Sequence, residues 1–490
     1  MATKCAQNAF SEAYVRFRDL QPCARETADR VPEHVVQCVW YDQLFPNESL
    51  RTAEGHRIDV LSPGWWNHQE GPDFRGAQIA FNGKLYSGDV EIHLNHSGWN
   101  AHGHHLDARY DDVILHVVLE PNPAPGLILT SAGRHIPTLF LGEYLREGIH
   151  ALADVVIRDD YPHATASTHG SCADQVARHG VGGLSAFLHL AGEWRMLNKA
   201  RALRQRMDQA GREQAVYEAL LYACGFSHFK HHFRTIARHL PYDRARQLSL
   251  QEPLLLEAAL FQIGGLLPKA LPPGTTAVPH FARLRALRRD RLAGLRSLPL
   301  TWHRIGVRPN NNPERRLAGA ARLIARTARA GLLDSLDGIW RKDRSPLQCR
   351  REFEALFPNP LGFWAAHCTW TGKKLTRPAA LLGPGRVRSI IGNVFVPAGL
   401  ALARADRDRL KEEKVFDFFL SLPKEPDNQI VKVMLPRVVG ASPGLKLDFR
   451  TQQGLLQMHQ DWCEPNPSCH NCALLRHLDF RGLISPRGHA

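Results

Sequence analysis

The sequence lacks the features that mark membrane-spanning, secreted and fibrous proteins. No apolar run approaches the roughly 18 residues that a membrane-spanning helix needs, and the N-terminal stretch MATKCAQNAFSEAYVRF has no signal-peptide core. No repeat and no low-complexity tract is evident. The ten cysteines are scattered apart from three near the C-terminus, which suits a reducing compartment better than a disulfide framework. We therefore expect a cytoplasmic protein without a membrane span.

Length and positive charge are what the sequence has in excess. A chain of 490 residues is too long for one ordinary core, so we expect two or three domains. The formal net charge of +14 favours an anionic partner, with nucleic acid first and a membrane surface second. The sequence therefore predicts a nucleic-acid partner, and it leaves open both DNA against RNA and the oligomeric state.

The stretch from Gly71 to His93, GPDFRGAQIAFNGKLYSGDVEIH, predicts two strands joined by a tight turn. Asn82-Gly83 is a strong hairpin signal because both residues tolerate positive φ. In the second strand polar and apolar residues alternate, which places Glu91 and His93 on one face of the sheet.

Pairing around this turn places Asp73 opposite Ile92, on the wrong face for a site shared with Glu91. A bulge at Gly76 or Gly88 would bring Asp73 to the face of Glu91. Two carboxylates at one strand end would suit a divalent cation, Mg²⁺ or Mn²⁺. The alternative is that Asp73 caps a turn and that the second strand only presents a solvated polar face.

Pro72-Asp73 followed by Glu91-Ile92-His93 resembles the PD-(D/E)XK nuclease motif, with His93 where that superfamily usually has lysine. The resemblance implies a restriction-endonuclease-like mixed α/β sheet and phosphodiester hydrolysis. It implies Asp73 and Glu91 as metal ligands, His93 beside the attacking water, and Glu33 assisting from a preceding helix. Neutral imidazole is able to orient a water or bind a metal.

A wider pattern resembles an uncharacterised bacterial family, domain-of-unknown-function family 2851. This resemblance covers nearly the whole chain and implies no activity. The stretches that carry it are PEHVVQCVWY, GPDF, GDVEIH, GWNAHGHH, YDDVILHVV, RPNNNPERRLAGAARL and the late cysteines.

Histidines are unusually dense between residues 93 and 116. Six of the 26 histidines fall there, and they provide either a transition-metal site or hydrogen bonds at a polar sheet end. His104 and His116 are the first to test. The six are His93, His96, His102, His104, His105 and His116.

Residues 180–265 have the apolar spacing of helices, and SIIGNVFVPAGLALA further on indicates a buried helix. Residues 283–351 contain 18 Lys or Arg against 5 Asp or Glu. Within them a helix start at Asn312-Pro313, flanked by Arg308, Arg315 and Arg316, predicts a phosphate site. The alternative is a plain helix start with structural arginines.

Cys463, Cys469 and Cys472 have metal-ligand spacing near the C-terminus. Zn²⁺ is the first candidate and a [4Fe–4S] cluster is the competitor. The fourth ligand would be His470, His477 or a cysteine distant in sequence.

These patterns predict three parts. They are a nuclease-like α/β domain over residues 1–150, a basic helical region over 180–450, and a C-terminal cysteine motif over 451–490. The predicted function is metal-dependent phosphodiester hydrolysis. The alternative is a non-catalytic nucleic-acid-binding or scaffold protein with a degenerate nuclease fold, which the replacement of lysine by His93 favours.

Overall fold

The N-terminal α/β unit is built on one curved mixed sheet, followed by a larger helical body. The computed structural model describes residues 9–18, 31–46, 49–67, 70–122, 126–145, 148–149, 152, 170–272, 277–302, 304, 307–357, 359–426, 429–440, 444–463, 469 and 472–478. The predicted order, a mixed sheet and then a mainly helical region, is confirmed.

The sheet is antiparallel at one edge and parallel at the other. Its strands pair in the order β1-β3-β4-β5-β6, with β2 beside β3. The strands up to β4 pair antiparallel, whereas β4, β5 and β6 are parallel neighbours. The strands are β1 Ile58–Ser62, β2 Trp65–Trp66, β3 Phe74–Phe81, β4 Lys84–His93, β5 Val113–Val118 and β6 Thr138–Phe140.

The predicted hairpin is present, with a bulge at Gly76. Asn82 and Gly83 form the turn between β3 and β4, with φ values of 49° and 84°. The pairing of β3 with β4 shifts by one residue within residues 74–77, where Gly76 has φ 65°. Continuing this shifted register places Asp73 opposite Glu91. The predicted bulge is therefore confirmed, and it gives Asp73 and Glu91 a common face.

The opposite face of the sheet is apolar and packs on helix α2, Glu33–Tyr41. Val90 and Ile92 of β4 are fully buried there with Val36 of the helix. The period-2 alternation of β4 therefore separates a core face from a polar face, as the sequence predicted. Short helices preceding and following α2 are α1, Val15–Arg18, and α3, Gly98–Ala101.

From residue 170 onward, the helical body contains sixteen helices within the described residues. They share one hydrophobic core. The helices are α4 Ser171–His179, α5 Gly182–Ala210, α6 Arg212–Cys224, α7 Phe226–His239, α8 Tyr242–Gln251, α9 Pro253–Ile263, α10 Val278–Arg291, α11 Pro313–Thr327, α12 Leu332–Arg341, α13 Pro346–Ala355, α14 Phe363–Ala366, α15 Pro384–Ala405, α16 Arg409–Ser421, α17 Gln429–Val439, α18 Phe449–Met458 and α19 Ala473–His477.

Helices α5 and α18 cross in backbone contact at the centre of this body. A Cβ on Gly192 would lie 2.2 Å from the Arg450 carbonyl oxygen, and a Cβ on Gly454 would lie 2.0 Å from the Leu188 carbonyl oxygen. Only glycine allows this approach, because a side chain at either position would meet rigid backbone.

The two ends of the described chain belong to the helical body, which differs from the predicted boundaries. Phe10, Tyr14 and Phe17 lie in its core, and Tyr14 donates a hydrogen bond from its hydroxyl to Asp461 at 2.9 Å. Helix α18 is buried along its whole length in the same core. The separate core of the α/β unit therefore runs from Val31 to Leu152, while residues near 10–17 and 449–478 lie in the core of the helical body.

Helix α15, Pro384–Ala405, is the one described helix that is long and apolar enough to cross a membrane by length and composition. Within its most apolar window, 78% of the residues are buried in the protein. This burial agrees with the interpretation of SIIGNVFVPAGLALA as a core helix.

Candidate metal centre in the N-terminal unit

Asp73 and Glu91 meet at the polar face of the hairpin. The Asp73 N–H donates to Glu91 Oε2 at 2.9 Å, and the Ile92 N–H donates to Asp73 Oδ2 at 3.1 Å. Gln37 of α2 also donates to Asp73 Oδ1 at 2.8 Å. Each carboxylate therefore accepts a backbone N–H from the strand of the other, which holds the pair together.

Glu33, in the first turn of α2, completes the predicted set of carboxylates. It is half-buried and accepts a backbone hydrogen bond from Leu94, directly after β4. It interacts electrostatically with Asp73 and with the imidazoles of His102 and His104. The structure thus brings Glu33, Asp73 and Glu91 to one end of the sheet.

Burial opposes ionisation of all three carboxyls. It raises the pKa of Glu91 from 4.5 to about 8, and the charge of Glu33 adds to this rise. Burial raises the pKa of Asp73 well above 3.8, and the negative charges of Glu91 and Glu33 raise it further. Burial also raises the pKa of Glu33. A cation among these groups would offset the repulsion and favour the ionised carboxylates.

Three imidazoles converge beside the carboxylates. His93, His102 and His104 each offer a ligand nitrogen within 4.8 Å of the others. His93 Nε2 lies 3.0 Å from His102 Nδ1, and His104 Nε2 lies 3.2 Å from Glu91 Oε1. Ligand atoms about 2.1 Å from one ion lie about 3.0 to 3.4 Å apart. His93 Nε2 lies 3.8 Å from Glu91 Oε1. The three imidazoles therefore lie close enough together to share one ion, and Glu91 lies beside His93 and His104.

For His93 and His104, burial lowers the pKa and so favours the neutral ring that binds metal. Burial lowers the pKa of His93 to about 3, so its ring is neutral near pH 7. Its second nitrogen, Nδ1, lies 2.9 Å from His116 Nε2, an arrangement that orients metal-binding histidines. His104 Nε2 is buried without a hydrogen-bond partner, although Glu91 Oε1 is 3.2 Å away.

The loop after β4 is shaped to fit the His93 ring. A Cβ on Gly98 would lie 2.5 Å from His93 Cδ2, so glycine is needed for this contact. Trp99 is fully buried beneath the loop and donates a hydrogen bond from its indole N–H to the Leu129 carbonyl. The Tyr110 ring stacks on His104 with centroids 3.8 Å apart. The imidazoles are therefore held by packing as well as by hydrogen bonds.

The predicted histidine cluster resolves into an inner group and its surroundings. His93, His102 and His104 form the inner group, and His116 lies behind His93, fully buried. Of the two histidines that the sequence marked for testing, His104 is thus in the group and His116 supports it. His102 is the exposed member, so the group opens to solvent on that side. Period-2 alternation did not reveal His102 or His104, because both lie in a loop.

Arg315 and Arg316 are buried, which contradicts their predicted contact with phosphate. Arg315 is 0% exposed, and its guanidinium donates to four backbone carbonyls in residues 364–380. Arg316 is 6% exposed and donates to Asn311. The helix does begin at Pro313 as predicted, but its first turn lies in the core. Arg308 remains exposed.

The three late cysteines lie in the helical body. Cys463 ends the turn after α18 and Cys472 precedes α19, and both pack against the main core. The Cys472 N–H donates to the Cys469 carbonyl at 3.3 Å. Of the predicted fourth ligands, His470 and the side chain of His477 lie outside the described residues.

Comparison with known proteins places the chain in a family without an assigned activity. Searches of curated proteins and of solved structures gave no significant match. Residues 33–428 match the family described as protein of unknown function (DUF2851). This match spans the sheet, the candidate metal centre and most of the helical body. The chain belongs to the DUF2851 family.

Proposed function

We propose that the protein is a metal-dependent hydrolase of phosphodiester bonds in nucleic acid and that its active site is the N-terminal metal centre. The observation that supports this most is the convergence of three carboxylates and three imidazoles at one sheet end. Active sites are where burial and like-charge neighbours shift pKa values. A purely structural sheet end has no need for this costly arrangement.

The donor set suggests which ion would bind. Three imidazoles with one carboxylate suit a first-row transition ion such as Mn²⁺ or Zn²⁺ better than Mg²⁺, which prefers oxygen ligands. In this proposal Glu91, His93, His102 and His104 bind the ion, and the ion activates a water and polarises the phosphoryl oxygen. The proposed site thus keeps Glu91 from the predicted Mg²⁺ or Mn²⁺ site and adds three imidazoles as ligands.

The remaining carboxylates have different proposed roles. Asp73 accepts hydrogen bonds from Gln37 and Ile92 on its two oxygens, so we assign it to positioning Glu91 and to charge balance. Glu33 is half-buried near the exposed His102, and burial raises its pKa. A carboxyl whose pKa is raised in this way holds its proton more tightly, which suits an exchange of protons with the leaving group or the attacking water.

The basic helix α10 supports a nucleic-acid substrate. Its arginines at 283, 285, 288, 289 and 291 are all exposed, and Asp290 is the only acidic residue among them. Such a surface would contact phosphates and release counterions, which gives salt-dependent binding. It takes the place of the predicted phosphate site at Arg315 and Arg316.

The second candidate is a non-catalytic nucleic-acid-binding protein that keeps a metal for stability. The observation that favours it is the near-complete burial of His93, which is 1% exposed and stands where the resembled nucleases have lysine. Such a protein would bind metal and nucleic acid without cleaving the chain.

A cleavage assay separates the two. Purified full-length protein is incubated with single-stranded DNA, duplex DNA and RNA in EDTA or with added Mn²⁺, Zn²⁺ or Mg²⁺. Glu91→Gln and His102→Ala are compared with Asp59→Asn, a control on β1 whose side chain is 40% exposed. We expect cleavage with a transition ion in the wild type and in Asp59→Asn, and at least a hundredfold loss in the other two. Metal binding without cleavage of any substrate would favour the second candidate.

A further inference from the structure

A cysteine from the start of the helical body joins the three late cysteines in space. Cys172, in the first turn of α4, is 6% exposed and lies in the same core against which Cys463 and Cys472 pack. Its sulfur interacts electrostatically with those of Cys463, Cys469 and Cys472. About 290 residues of sequence separate Cys172 from its three partners. The fold thus assembles four thiols from both ends of the helical body.

Arg437 of α17 lies beside three of the four thiols. Its guanidinium donates to Cys469 Sγ at 3.3 Å and interacts electrostatically with Cys172 and Cys463. Its carbonyl accepts the Gly170 N–H at 3.1 Å, two residues before Cys172. A Cβ on Gly170 would lie 2.8 Å from Arg437 Cγ, so glycine lets α4 approach. The segment bearing Cys172 is therefore held against Arg437 and the late cysteines.

The buried guanidinium of Arg437 is placed to donate hydrogen bonds to ligand sulfurs. Arg437 is 3% exposed, and a charge at that depth is costly unless opposite charge compensates it. Four thiolates on a metal or cluster carry net negative charge, and donors to the ligand sulfurs tune such centres.

We propose that Cys172, Cys463, Cys469 and Cys472 hold a metal centre, with Cys172 as the fourth ligand and Arg437 as the hydrogen-bond donor beside it. The sequence left this fourth ligand open between two histidines and a distant cysteine. The centre is separate from the proposed hydrolase site, and it would fasten α4 to the C-terminal end of the chain.

The spacing of the sulfurs favours an iron–sulfur cluster over zinc. Four thiolates on one zinc lie about 3.8 Å apart, because each Zn–S bond is about 2.3 Å. In the described part of the chain, the histidine group is the one set of three potential ligands within 4.8 Å of one another. No three of the four sulfurs therefore lie that close together, which suits a cluster with one thiolate on each iron better than four thiolates on one zinc.

The test is elemental analysis of the full-length protein purified without oxygen. We expect about four iron and four acid-labile sulfide per chain, with a broad visible absorption band that bleaches on reduction. Cys172→Ser and Cys463→Ser should lose most of the iron, whereas Cys224→Ser, at a buried cysteine elsewhere in the body, should keep it. One zinc per chain, lost in Cys172→Ser, would keep the four-cysteine site and overturn the cluster. Full metal content in Cys172→Ser would overturn the site.

A second measurement guards against misfolded variants. In wild-type protein, alkylation followed by mass spectrometry reads each thiol separately. Cys469 and Cys472 are only half-buried, so burial alone would not protect them from alkylation. We expect both to resist labelling until the metal is removed, which would show that they bind it. Rapid labelling of either cysteine in the metal-loaded protein would overturn the proposed site. Neither readout depends on nuclease activity.

Discussion

Replacing Glu91 by glutamine in metal-free protein should stabilise the fold, and increasingly so as the pH rises. The carboxyl of Glu91 is 6% exposed and its pKa in the folded chain is raised to about 8. The folded chain therefore binds this proton more tightly than the unfolded chain does. The stability that the proton contributes is complete below pH about 4.5 and is lost as the pH rises through about 8.

The size of the effect follows from the two pKa values. A pKa of 4.5 in the unfolded chain and about 8 in the folded chain correspond to an upper limit of about 5 kcal/mol above pH 9. Glutamine cannot ionise, and its amide oxygen still accepts the Asp73 N–H. The His93 pKa is lowered to about 3, which gives a slope of opposite sign, but His93 is present in both proteins and cancels in their difference.

The assay is urea unfolding in EDTA at pH 5, 7 and 9 for the wild type, Glu91→Gln and Asp59→Asn. The free energy of unfolding of Glu91→Gln should exceed that of the wild type by little at pH 5 and by several kcal/mol at pH 9, while Asp59→Asn shows no such trend. Adding Mn²⁺ or Zn²⁺ should reverse the order, because an ion that binds only the wild-type site stabilises only the wild type. A Glu91→Gln variant that is less stable than the wild type at pH 9 without metal would refute the argument.

Three further outcomes test separate parts of the structure. Gly98→Ala should weaken Mn²⁺ or Zn²⁺ binding in calorimetry about tenfold or more because its Cβ displaces the His93 ring, whereas Gly126→Ala, with open space around it, should not. Arg285→Ala with Arg288→Ala should weaken nucleic-acid binding for all sequences alike and lower the log–log salt slope by about 2; a salt slope equal to that of the wild type would contradict this. Arg315→Ala should lower the stability by about 3 kcal/mol or more, measured by urea unfolding, because buried carbonyls lose their donor.

Turn chemistry made the hairpin predictable from sequence. Asn82-Gly83 fixes the register, and a glycine at 76 offers the one extra residue that brings Asp73 to Glu91. Each of these signals is local, within about ten residues, so no knowledge of the remaining fold was required. The prediction that Glu33 joins these carboxylates came from the resemblance to PD-(D/E)XK nucleases and not from residue spacing.

What sequence could not show was decided by distant contacts. The periodicity around Arg315 marks a helix, but the carbonyls that bury its guanidinium come from residues 364–380. Tyr14 has no local signal that it joins the core of the helical body. Cys172 likewise lies about 290 residues from the cysteines that it approaches. These three residues were missed for one reason. The apolar pattern of a helix shows that one of its faces is buried, but it does not show which distant segment packs on that face.

The glycine crossing of α5 and α18 also affects the order in which the chain folds during synthesis. Helix α18 lies at the centre of the helical body and begins at Phe449, so most of the chain leaves the ribosome before this central element exists. The strands of the N-terminal sheet unit all lie within residues 58–140, so this sheet is able to form before α18 is synthesised. Until α18 emerges, the surface of α5 around Gly192, against which α18 later packs, stays exposed. Chains stopped before residue 449 should therefore carry a folded sheet unit attached to an open helical body that chaperones would bind.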